Sequence, residues 1–135
     1  MVFDYSKAKF EIWNPKLKPG AISIYAQRYL LGELSLTLWV GGESDEVSYF
    51  EMLSRPAWFC VFADEYLQEA LQATVSGTGM TPRLLRVTES PLLRELNEAE
   101  VFFEIDYKNL EHWVIIGTGE CCHIVSDEEP QFRQL

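Results

Sequence analysis

Val101-Phe102-Phe103-Glu104-Ile105-Asp106-Tyr107-Lys108-Asn109-Leu110-Glu111-His112-Trp113-Val114-Ile115-Ile116-Gly117-Thr118-Gly119-Glu120-Cys121-Cys122-His123-Ile124-Val125-Ser126 reads as three antiparallel strands and two tight turns. Lys108-Asn109 supplies the first turn and Gly117-Thr118-Gly119-Glu120 the second. A two-residue first turn sets Asp106 opposite Glu111 and Glu104 opposite Trp113. A second turn centred on Thr118-Gly119 pairs Ile116 with Cys121 and Val114 with His123. Side chains alternate across a strand, so these registers sort every residue onto one of two faces. Val101, Phe103, Ile105, Tyr107, Leu110, His112, Val114, Ile116, Cys121, His123 and Val125 form an apolar face expected to lie against helices. Phe102, Glu104, Asp106, Glu111, Trp113, Ile115, Cys122, Ile124 and Ser126 form the other, expected to face water or a partner. Asp106 and Glu111 directly across from one another repel, an arrangement suited to solvent or to a cationic partner.

Upstream, Ala21–Leu30 and Leu34–Val40 alternate with period 2 around Gly32-Glu33 and read as a hairpin. Residues 9–13 read as a short strand, ended by Asn14-Pro15 and the Lys18-Pro19-Gly20 turn. Residues 46–53 fit either a short helix or an edge strand. Ala57-Trp58-Phe59-Cys60-Val61-Phe62 is apolar at every position and reads as a buried strand, with the buried first half of a helix as the rival. Asp64 caps a helix expected over 65–75, with Leu67, Ala70 and Leu71 on one face. Arg83–Thr88 reads as a strand. Ser90 at the N-cap and Pro91 at the first helical position then open a second helix to about Ala99, facing inward with Leu92, Leu93 and Leu96. The polar tail, residues 127–135, is expected to fray. Together these elements predict one α+β domain over residues 1–135: an antiparallel sheet of about five to seven strands with two or three helices on one face.

Composition narrows the function classes. The 135 residues are 47% hydrophobic and 13% aromatic, enough for a packed core without a metal or disulfide staple. Eleven Lys and Arg stand against 21 Asp and Glu, a formal charge of −10. That balance opposes nucleic-acid binding, which runs on clustered cations that release counterions from phosphates. Lys7, Lys9, Lys16 and Lys18, beside Phe10 and Trp13, suit a solubilising sheet edge better than a phosphate grip. No apolar run reaches the ~20 residues of a membrane-spanning helix, and the first residues lack the apolar core of a secretory signal. Cys60, Cys121 and Cys122 are odd in number and two are adjacent, a pattern of free thiols in a reducing cytoplasm rather than of a disulfide framework.

His112, His123 and Cys121 share a face and could in principle hold zinc or form a thiol–imidazole pair. They sit among aliphatic residues, without CxxC or HxxxH spacing, and an acidic chain offers a thiolate little electropositive support. Glu104, Asp106 and Glu111 as a catalytic carboxylate set lack both a calcium loop and a cleft. Gly77-Thr78-Gly79 and Gly117-Thr118-Gly119 are turns, not phosphate loops. The sequence therefore predicts a non-enzymatic, cytoplasmic, acidic interaction module without a cofactor. Its contacts with a basic protein partner would be Glu104, Asp106, Glu111 and Trp113, charge steering the encounter and the indole supplying affinity. A neutraliser of a nuclease toxin, of the inhibitor or immunity type, has this character. The alternatives are a small acidic chaperone or adaptor acting as a homodimer, and a thiol- or metal-dependent enzyme around Cys121, His112 and His123.

Overall fold

The computed structural model describes residues 4–13, 21–41, 47–62, 73, 84–98, 109–117 and 119–135. In chain order these form β1 (Lys9–Ile12), β2 (Ala21–Leu30), β3 (Glu33–Gly41), β4 (Val47–Ser54), β5 (Trp58–Phe62), β6 (Leu84–Thr88), α1 (Pro91–Glu98), β7 (Glu111–Ile116), β8 (Cys121–Ser126) and β9 (Gln131–Gln134). The strands make two antiparallel sheets, one ordered β1-β6-β7-β8-β5 and the other β2-β3-β4-β9. The fold is thus mostly β, and the expectation of a single sheet layered by two or three helices is corrected. Among the described residues one helix has defined bounds, α1. The helix expected over 65–75 lies outside them except for Ala73, which is helical.

Strict alternation explains the four-stranded sheet. In β3, Leu34, Leu36, Leu38 and Val40 are buried while Glu33, Ser35, Thr37, Trp39 and Gly41 between them are half-exposed. Met52 of β4 lies opposite Leu36, and Phe132 of β9 lies opposite Met52, continuing the inward row. The row meets Leu84, Trp113, Ile115, Cys122 and Ile124 of the five-stranded sheet, with Trp13 closing one side, in a shared core. Two sheets burying one face each against the other define a sandwich.

The five-stranded sheet is also covered on its second face. Leu85, Val87, Val114, Ile116 and Cys121 pack there with Tyr5. Val125 packs on the same side against Leu92 and Leu96 of α1. Burial on both faces is why every residue of β8, and every residue of β7 from His112 onward, is buried.

The hairpin, the helix start and the C-terminal register follow the sequence reading, except that the hairpin turn is Leu31-Gly32 rather than Gly32-Glu33. Leu31 and Gly32 join β2 to β3 with φ of 52° and 81°, both positive, as a type I′ turn requires. Ser90 Oγ accepts the Leu93 N–H at 3.1 Å, capping α1 at the expected place. Ile116 pairs with Cys121, and Val114 with His123. Gly117 is required at that turn. A β-carbon there would sit 2.9 Å from the Glu120 carbonyl oxygen and 3.0 Å from that of Ile22. The ambiguous segment 46–62 resolves into β4 and β5, both strands. Residues 131–134, in the tail expected to fray, pair with Leu53, Met52, Glu51 and Phe50 of β4. Among the described residues no helix is long and apolar enough to cross a membrane.

Candidate functional site

Among the described residues, a buried file of polar side chains lies on the helix-covered face of β7 and β8. A serine ending the loop before α1, one histidine on β7, and a histidine and a cysteine on β8 join in a single file. Ser90 Oγ is 2.7 Å from His112 Nδ1. His112 Nε2 is 2.8 Å from His123 Nδ1, and His123 Nε2 is 3.5 Å from Cys121 Sγ. Tyr5 lies over the file, its ring stacked on His123 at 6.4 Å between centroids and tilted to His112 at 6.5 Å. All five residues are buried.

Register produces this file. His112 lies opposite Val125, and Val114 opposite His123, so the two imidazoles are diagonal neighbours on one face. Cys121 lies two residues before His123, on the same side of the strand. Ser90 reaches the file because the N-terminus of α1 is seated above β7.

Burial governs the protonation states. It drives His112 well below its ordinary value, with His123 beside it adding to the effect, and lowers His123 to about 4. It pushes the Cys121 thiol up to about 12, the charge of Cys60 adding to it. Near neutral pH both rings are uncharged and the thiol is protonated. Each neutral ring carries one N–H, so each contact holds one hydrogen and the file runs in a single sense. With Ser90 donating to His112 Nδ1, His112 Nε2–H donates to His123 and His123 Nε2–H donates to the sulfur. With Cys121 donating, every bond reverses. Fixing one tautomer fixes the other.

This arrangement holds the structure together and is ill-suited to either thiol or metal chemistry. The two ring nitrogens that a metal would need face each other across a hydrogen bond. Among the described residues no group of three or more His, Cys, Asp and Glu side chains is arranged to hold a metal ion. A thiol titrating near 12 is a poor nucleophile at neutral pH. Ser90 serves both the helix cap and His112. We expect Ser90→Ala to lower the unfolding free energy by about 2–4 kcal/mol, a cap of ~1 plus a buried polar group left unsatisfied at ~1–3. Urea denaturation checks the value, and Ser90→Thr, which keeps the oxygen, should recover most of it.

Of the four residues expected to contact a partner, the structure describes two, Glu111 and Trp113. Glu104 and Asp106, with the strand expected over 101–107, lie outside the described residues. Asn109, at the first expected turn, has a left-handed φ of 56°. Glu111 is half-exposed and shares Arg86 with Glu11: Arg86 Nε is 2.7 Å from Glu11 and Nη1 is 3.4 Å from Glu111. Trp113 is only 1% exposed and packs against Trp13 at 6.2 Å in the core between the sheets. The surface indole that the sequence suggested is therefore a core side chain, because the face assigned to water is covered by the second sheet.

Exposed aromatics occur instead on the outer face of the four-stranded sheet. Tyr25 is 73% exposed and meets Tyr49 edge-on at 6.1 Å. Trp39 lies opposite Tyr49 and is half-buried, its ring lying over Gly41. Of these, Trp39 shares its parity along the strand with Ser35 and Thr37, and so reads from the sequence as a surface candidate. Tyr25 sits at a register shift between Ile24 and Ala26, which period-2 reading does not detect.

No family model, curated protein or solved structure matches the chain.

Proposed function

We propose that this chain is a non-enzymatic acidic interaction module that docks a cationic protein, in the manner of a neutraliser of a phosphate-binding toxin such as a nuclease. The supporting observation is its charge of −10 and the way the surface distributes it. Lys9, Arg55, Arg86 and Arg133 already serve Glu89, Glu33, Glu11 with Glu111, and Glu51. Glu95 and Glu98 on α1, and Asp127, Glu128 and Glu129 just after β8, have no ion-pair partner among the described residues. These two segments meet where Leu92 and Leu96 pack on Val125. A protein whose partner grips phosphate must offer negative potential to a positive cleft, and such fields act mainly on association rate.

Glu104, Asp106 and Glu111 remain the proposed steering carboxylates; Trp113, buried in the core, is not part of the contact. The test is stopped-flow association with the basic protein recovered by affinity capture. Raising salt from 50 to 300 mM should slow association by about tenfold or more, since screening shortens the reach of the field. Exchanging Glu104 and Asp106 for Lys should slow it further and flatten the salt dependence. Association indifferent to salt and to both exchanges overturns the proposal.

A further inference from the structure

We infer that the open edge of β2 pairs antiparallel with β2 of a second copy of this chain, about a two-fold axis at Gln27. Among the described residues β2 is an outer strand of its sheet, and every residue from Tyr25 to Leu30 is exposed. The turn tells which backbone groups face outward. Across a two-residue type I′ turn, Leu30 and Glu33 exchange both of their hydrogen bonds, and such pairs recur at every second residue. Arg28 with Ser35 and Ala26 with Thr37 are therefore bonded inward. Gln27 and Tyr29 direct their N–H and C=O groups away from β3, to the open side.

A long outer strand with bare backbone groups is a template for another strand unless charge, proline or brevity blunts it. β1 and β9 are four residues each and carry Lys9, Glu11 and Arg133, and β5 is five residues. β2 is ten residues, with neither Pro nor Lys, and Arg28 is its sole charge. The register shift at Tyr25 leaves Ala26–Leu30 regular.

Charge selects the occupant. Two copies of a −10 chain repel wherever their carboxylates meet, and Ala21–Leu31 contains no carboxylate at all. An arginine-bearing segment within an acidic molecule also suits the approach of a second acidic molecule better than that of a cationic one. Register follows from the same charge. An axis at Arg28 would oppose that residue with itself, which is unfavourable. An axis at Gln27 sets Arg28 opposite Ala26 of the second copy and uses the outward N–H and C=O of Gln27. The result joins two four-stranded sheets into one of eight.

Light scattering on a size-exclusion column, across a concentration series from micromolar to hundreds of micromolar, reads the outcome. The wild type should approach twice the 15.6 kDa chain mass. Gln27→Pro removes an outward N–H while leaving the β3 ladder intact, and should return the mass of one chain with an unchanged circular-dichroism spectrum. Gln27→Cys provides a readout that does not depend on the proline variant folding. Facing residues in a bonded antiparallel pair lie ~5.5 Å apart at Cα, within disulfide reach. Mild oxidation should therefore give a reducible covalent dimer that wild type and Tyr49→Cys do not form. A wild type that stays a single chain throughout overturns the inference, as does a dimer that neither proline nor cysteine at Gln27 affects.

Discussion

Lowering the pH from 7.5 to 5 should destabilise this fold by about 2 kcal/mol through His123 alone, with His112 adding in the same direction. In the unfolded chain both imidazoles take up a proton near their ordinary 6.5, whereas in the folded chain burial holds His123 to about 4 and His112 well below 6.5. Above 6.5 neither state binds the proton, so this contribution to stability is complete and flat. Below 6.5 the unfolded state gains protons that the folded state refuses, and stability falls until the pH reaches the folded value. At about 1.36 kcal/mol per pH unit, the full loss through His123 approaches ~3 kcal/mol near pH 4. Urea denaturation at intervals from pH 7.5 to 5 measures it while the protein stays above its isoelectric point of about 4.6. His123→Gln keeps a polar side chain and does not titrate, so its slope below 6.5 should be shallower than that of the wild type. A wild-type profile that is flat from 7.5 to 5 contradicts the burial of the pair.

Replacing Trp113 by Ala should cost about 3–5 kcal/mol, the range for removing a large aromatic side chain from a packed interior. Trp113 is among the largest fully buried side chains, and it touches both layers of the sandwich through Trp13 and the inward row of the four-stranded sheet. A domain of this size has only about 5–15 kcal/mol of stability, so the variant should unfold at a far lower urea concentration. Trp113→Phe should lose less. The same substitution separates the two positions that the sequence allows for this residue. An indole on the surface would shift stability by no more than ~0.5 kcal/mol and act only on binding.

Register was more legible in the sequence than layering. Val114 opposite His123, Ile116 opposite Cys121, the hairpin around Leu31-Gly32 and the Ser90 cap all follow from local chemistry: period-2 alternation, glycine in a turn, and a hydroxyl before proline. The proximity of His112, His123 and Cys121 followed from the same register. What covers each face is not a local property. One-sided antiparallel sheets are common, and on that pattern Trp113, Ile115, Cys122 and Ile124 face water or a partner. The signal against that assignment was present in the unbroken apolar runs Trp113–Ile116 and Cys121–Val125, which mark strands buried on both faces. Ser90 could not be connected with His112 from sequence, since that contact depends on how α1 seats on the sheet. β9 was missed because Gln131-Phe132-Arg133-Gln134 offers a single apolar residue to a strand it meets far away in the chain.

That distance has a kinetic meaning. The ion pair between Arg133 and Glu51 links positions 82 residues apart, and Thr88 reaches Lys9 across 79. Both sheets are finished by segments remote from the strands they join, so chain entropy must be surrendered before the closing contacts repay it. Topologies of this kind reach the native state in milliseconds to seconds rather than microseconds. Throughout that interval the inner β4 strand lacks its outer neighbour, and nascent molecules are open to mispairing before they are open to function.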